Sequence, residues 1–155
     1  MRLLGLWGSL LYLGGSGVFA VALVADRGAL MMGLFIVWAG DTGAYFAGRT
    51  LGKHKLYPLV SPKKTIEGSL GGVLGSVGGA LLAWTWLAPE RAVWVVVAVA
   101  VVGNIIAASG DLVESALKRA AGVKASGAIL PGHGGFFDRM DAFIFAAPFF
   151  ALALL

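Results

Sequence analysis

The chain has 155 residues, of which 59% are hydrophobic and only 13% charged, and its mean hydropathy is +0.88. Soluble domains carry about 25% charged and about 45–50% apolar residues, so this balance excludes a disordered chain and argues against a soluble globular domain. It describes a small integral membrane protein whose apolar surface is covered by lipid.

Crossing the hydrocarbon core takes roughly 20 residues of helix, and five apolar runs approach that length: 3–24, 29–46, 70–88, 92–108 and 136–155. The runs show no period-2 alternation, which predicts helices rather than strands. The expected fold class is all-α: a polytopic transmembrane helical bundle of about five spans, forming one integral membrane domain over 1–155. The first run is too long, and too weakly basic at its start, to read as a cleaved signal peptide. Residues 25–28 and 89–91 make very short connections, and 47–69 and 109–135 make longer polar loops.

The second run leads into Asp41-Thr42-Gly43-Ala44-Tyr45-Phe46 and then Gly48-Arg49. Within the loop that follows, Ser61 with Pro62 reads as a helix start, an N-cap before proline at the first helical position. Lys63 and Lys64 then fall in the first turn, where the helix dipole disfavours cations unless an anion binds between them; an ordinary positively charged anchor is the alternative. The third run carries Gly71, Gly75 and Gly79 at four-residue spacing, a ridge that lets another helix approach closely. Packing within one chain is the simpler reading of that ridge, and a homodimer interface the other.

Residues 110–119 read as a short cytoplasmic amphipathic helix. Asp111, Glu114, Ser115, Lys118 and Arg119 share one face, and Leu112, Val113, Ala116 and Leu117 the other. Asp111 as N-cap with Glu114 as its capping-box partner is the structural alternative to a chemical role. Next comes Leu130-Pro131-Gly132-His133-Gly134-Gly135, a tight turn whose amides can approach an anion and which feeds into a helix start. Asp138 and Asp141 follow at i, i+3. Carboxylates entering a membrane helix need a partner; Arg139 is one candidate, and a hard divalent cation such as Mg²⁺ accounts for them better. The last run contains Pro148, a predicted kink.

Ten Lys/Arg residues (Arg2, Arg49, Lys53, Lys55, Lys63, Lys64, Lys118, Arg119, Lys124 and Arg139) fall on one side of the alternating spans. Only Arg27 and Arg91 fall on the other. This is a positive-inside pattern, which predicts that the amino terminus and both long loops are cytoplasmic. The net charge of +4 therefore reads as membrane topology, and no nucleic-acid partner is expected. With no Cys and two His there is no usual zinc site, and His54 reads as a loop residue. What remains is a polar site at the membrane surface, with acids for metal, cations for phosphate and no nucleophilic triad. Phosphoryl or nucleotidyl transfer fits that inventory.

Ser115-Ala116-Leu117-Lys118-Arg119, Lys124, Gly127, Leu130-Pro131, His133-Gly134-Gly135-Phe136 and Asp138-Arg139-Met140-Asp141 closely resemble the signature of the phosphatidate cytidylyltransferases (CDP-diacylglycerol synthases). The upstream DTGAYFAGR and SPKKTIEG segments are also similar to that family. The resemblance implies that CTP and phosphatidic acid give CDP-diacylglycerol and pyrophosphate, in phospholipid biosynthesis at a bilayer, with Mg²⁺ required and a second cation left open. It implies Asp111 and Asp138 as metal-site residues. Asp111, Asp138, Lys124 and Asp141 are the expected catalytic residues. Ser115, Lys118, Arg119, His133, Gly134, Gly135, Arg139, Lys63 and Lys64 are the expected substrate-binding ones. The expected location is a bacterial inner (plasma) membrane, with the site facing the cytoplasm.

Two departures stand out. Lys124 is followed by Ala125, where the family usually carries Asp, and members usually have further membrane helices before the shared part. The chain thus resembles the carboxy-terminal catalytic portion. A non-catalytic or weakly active relative is the alternative that Ala125 raises. From a different class, a small ion transporter using Asp41 and Asp111 is a third reading.

Overall fold

A computed structural model describes residues 2–120 and 137–155, with side chains described for 14–119, 140 and 142–155. The elements are α1 (Arg2–Ala25), α2 (Arg27–Thr50), β1 (Lys55–Tyr57), β2 (Ser61–Thr65), α3 (Ile66–Leu87), α4 (Val93–Ala120) and α5 (Phe137–Leu154). Among the described residues the fold is all-α apart from one two-stranded hairpin. Among the described residues, α2, α3 and α4 are each long and apolar enough to cross a membrane, and Gly14–Ala25 and Ala142–Leu154 are shorter apolar stretches.

The most extensive helix pairing is α2 against α3, antiparallel. Missing side chains permit it. A Cβ at Gly75 would collide with the Ala39 carbonyl, one at Gly71 with Ala47, and one at Gly43 with the Gly71 carbonyl. Gly79 lies equally close to Phe35 and Ala39, whereas Gly78 faces open space. The glycine ridge of α3 is therefore engaged inside the chain, where close backbone approach gains dispersion contacts that lipid cannot supply.

The bundle interior closes around Phe150, which is fully buried. Gly33 of α2 and Gly103 of α4 leave room for its ring, and Phe143, two turns earlier on α5, stacks on it at 6.1 Å between centroids. Met32, Ile36, Val96 and Ala100 complete this apolar core. At about 1.5 Å per residue, the 28 residues of α4 run to about 42 Å, longer than the ~30 Å hydrocarbon core. Towards its end it passes beside the hairpin, where Asp111 meets Lys64.

Two local expectations are corrected. Residues 61–65 form a strand, not the first turn of a helix. β2 pairs antiparallel with β1 through Lys55↔Thr65 and Tyr57↔Ser61, and the Ile66 N–H donates to the His54 carbonyl at 2.9 Å. Thr65 is the actual N-cap, accepting from the Gly68 N–H at 3.1 Å. Pro62 fits an extended edge as readily as a first helical turn, so pairing across the hairpin decides its conformation. Lys63 and Lys64 consequently precede α3 rather than opening it.

The second correction concerns Asp111. Helix α4 passes through Gly110 without a break, so Asp111 lies deep within the helix, and it is not an N-cap with Glu114 as its capping-box partner. Gly110 is a packing notch: a Cβ there would strike the Phe145 side chain of α5 at 2.5 Å. The 110–119 segment is helical with its polar face as expected, but as the end of α4. Helix α5 runs through Pro148 to Leu154.

Candidate functional site

A cleft of about 380 Å³ opens at the end of the bundle where α2 finishes, α3 begins and α4 emerges. Its walls are largely small or apolar, with Val37, Ala44, Leu56, Ala107 and Ala108 among them, and its polar lining includes Asp41, Arg49, Lys63, Lys64 and Asp111. The hairpin sets Lys64: held one residue before the Thr65 cap, it reaches across to α4. There its Nζ pairs with Asp111 Oδ2 at 2.6 Å and donates to the Ala108 carbonyl at 3.4 Å.

Asp41, on α2, lines the same cleft as Lys64 and Asp111. Ser115, one turn beyond Asp111 on α4, donates to the other carboxylate oxygen, Asp111 Oδ1, at 3.4 Å. Arg49 stands on the rim, donating to the Tyr45 hydroxyl at 2.7 Å. At the floor, the Asn104 side-chain amide donates to Ser76 Oγ at 2.8 Å, and Ser76 donates to the Ile36 carbonyl at 2.7 Å. This chain of bonds satisfies polar groups that hydrocarbon cannot. Further in, the core is Met32, Ile36, Val96, Ala100 and Phe150. The described interior offers no polar path through the bundle, which disfavours the transporter reading.

The structure thus brings together Lys63, Lys64, Asp111 and, through Asp111, Ser115. Lys118 lies one turn beyond Ser115 and pairs at 2.9 Å with Glu114, a buried carboxylate whose Oε1 has no hydrogen-bond partner among the described residues. Arg119 is exposed near the end of α4. Lys124, His133, Gly134 and Gly135 lie outside the described residues. The backbone of Asp138, Arg139 and Asp141 is in α5, but their side chains are not among those described. Asp41 is the residue that sequence reasoning placed only in an ion path; a carboxylate inside an apolar run was the signal for it.

The donors here are two carboxylates and a hydroxyl, all hard oxygen ligands. Among the described residues no group of three His, Cys, Asp or Glu gathers as a metal site. Mg²⁺ commonly needs only one or two carboxylates, taking its remaining ligands from water and substrate phosphates. In kind and number the residues fit such an ion.

The model of the cytidylyltransferase family matches residues 4–155. The chain belongs to that family. It is 46% identical over 126 residues to the phosphatidate cytidylyltransferase of Staphylococcus epidermidis, covering 81% of this chain and 48% of that protein. The proteins of the same name from Staphylococcus saprophyticus and Staphylococcus aureus are 43% and 44% identical over the same coverage. This family member spans about half the length of the curated relatives it matches.

Proposed function

We propose that this chain carries the site at which CTP and phosphatidic acid are converted to CDP-diacylglycerol and pyrophosphate. The observation that carries the reading is the Asp41–Lys64–Asp111 cluster at an apolar-walled cleft, in a family member whose relatives bear the name of that reaction. The lipid phosphate oxygen attacks the α-phosphorus of CTP, the bond from that phosphorus to the β-phosphate bridge breaks, and pyrophosphate leaves with the electron pair. A phosphate monoester is largely ionised near neutral pH, with its second pKa near ~6, so the attack needs no strong general base. Positioning and charge neutralisation remain as the protein's task.

Lys63, Lys64 and Arg49 supply positive charge for phosphate oxygens at the rim. Lys64 exchanges its Asp111 partner for phosphate as substrate enters. Asp41 and Asp111 would hold Mg²⁺, with Ser115 orienting Asp111 and with Asp138 and Asp141 as further ligand candidates. When bound, the metal neutralises charge on the triphosphate and the leaving pyrophosphate. Ser115, Lys118, Arg119, Lys124, His133, Gly134, Gly135 and Arg139 complete the proposed substrate site. The Lys/Arg partition supports a cytoplasmic orientation in a bacterial plasma membrane, and single cysteines at Lys55 and Glu90 test it by sided labelling.

The direct test is transfer of label from radiolabelled CTP into lipid by the purified chain in phosphatidate-containing vesicles, with and without Mg²⁺. Mg²⁺-dependent CDP-lipid is the expected product. A folded chain that forms none under these conditions overturns the reading.

A further inference from the structure

The β1–β2 hairpin carries charge and apolar surface that the cleft does not use. Leu56, Lys63 and Lys64 line the cleft, whereas Lys53 and Lys55 are exposed and have no acid partner among the described residues. The neighbouring carboxylate, Glu67, is already engaged. It accepts from the backbone N–H groups of Lys53 and His54 at 3.1 and 3.2 Å and pairs with His54 Nδ1 at 2.6 Å. The turn carries Leu59, 88% exposed, β1 carries Tyr57, half exposed, and Leu51, 65% exposed, precedes the hairpin.

The hairpin's position makes this combination informative. It joins the end of α2 to the start of α3, two helices long and apolar enough to span a membrane. Three residues of β1 at about 3.3 Å each reach no more than about 10 Å, so the turn stays close to the headgroups. An apolar tip in water gains nothing there, whereas Leu and Tyr at headgroup depth bury apolar area. Lysines beside them meet the negative potential of anionic lipid. A soluble polyanion would satisfy the lysines but leave Leu59 in water.

We propose that the hairpin docks on an anionic lipid surface, with Leu59 and Tyr57 in the headgroup layer and Lys53 and Lys55 against lipid phosphates. It forms a collecting surface for anionic lipid beside the cleft. The inference rests on the bilayer embedding and not on the reaction, so its failure and that of the cytidylyltransfer reading are separable.

The chain has no cysteine, so Leu59→Cys accepts a single environment-sensitive dye. The labelled chain is reconstituted in phosphatidylcholine vesicles with or without phosphatidylglycerol. The expected result is blue-shifted emission, quenched by headgroup-proximal nitroxide lipids, when phosphatidylglycerol is present. Lys53→Gln with Lys55→Gln should weaken docking by about five-fold per lysine, and added salt should do the same. The dye's own affinity for lipid is common to both compositions, so the difference between them reads the lysines. Identical emission in the two vesicle types, or no response to the double substitution, overturns the proposal. So does a shift driven by CTP in detergent without anionic lipid, which would assign the lysines to nucleotide.

Discussion

The two ends of the bundle handle charge in opposite ways. At the end with the short connections, Asp26 caps α2 by accepting from the Ala29 N–H at 3.0 Å. Arg91 there donates to the Leu154 carbonyl at the close of α5. These charges answer backbone groups that helix termini leave unpaired, and the hollow among them is about 50 Å³. At the hairpin end, Lys64 pairs with Asp111, and Asp41 shares with them a cleft of about 380 Å³. A charge that answers a helix terminus, as Asp26 and Arg91 do, is fixed by the fold. An ion pair on a void can exchange partners for a ligand, and that is what separates a structural charge from a chemical one.

The largest expected effect tests that separation directly. Asp111→Asn keeps the shape and still accepts from Ser115, but it removes the charge that Lys64 and a hard cation need. CDP-lipid formation should fall by roughly 10³-fold, about 4 kcal/mol of barrier, while unfolding in denaturant is little changed. A kcat within a few-fold of the unsubstituted chain would remove Asp111 from the site. The next effect concerns the scaffold that holds the cluster. Gly75→Leu would drive α2 from α3 and should cost about 1–3 kcal/mol, whereas Gly78→Leu, facing open space, should be near neutral. Detergent-titrated unfolding of the pair checks this, and equal losses would mean that the close approach is not what stabilises the pair.

How much of this was legible in the sequence follows from the range of each signal. The helices were legible because a bilayer imposes length and internal hydrogen bonding, and the polar face of Asp111, Glu114, Ser115 and Lys118 because helical spacing is local. The Ser61-Pro62 start misleads because what competes with it is distant. Glu67 on the Lys53 and His54 amides, and Ile66 on the His54 carbonyl, are contacts no local pattern contains. The separate helix expected over 110–119 fails for the same reason: α4 runs through Gly110, where the facing Phe145 fills the space of a side chain. Lys64 and Asp111 were each legible as candidates, but their meeting with Asp41 at one cleft needs α2, α3 and α4 packed together.

At the opposite end, Arg91→Gln should lower stability by about 1 kcal/mol, the scale of a cation at a helix C-terminus, and leave the KM for CTP unchanged. A raised KM would mean that the two ends are coupled and that the division drawn between them fails.

The smallest effect lies between the ends, where Asn104 and Ser76 bond beneath the cleft. Both side chains are buried, so a single bond could be expected to count for more than at a surface. The unfolded reference within a membrane also finds partners for both groups, however, and measured couplings of this kind average about 0.6 kcal/mol. Ser76 keeps its bond to the Ile36 carbonyl when Asn104 is truncated, so Asn104→Ala removes one contact without orphaning the hydroxyl. Asn104→Ala, Ser76→Ala and the double variant form a cycle in which the coupling should come out near ~0.6 kcal/mol. A coupling well above about 2 kcal/mol would mean that the floor is held more rigidly than a membrane hydrogen bond accounts for. The structural character of the lower end would then extend up to the cleft itself. A coupling near the expected value leaves the cleft floor a modest brace and the rim cluster as the place where charge is free to act.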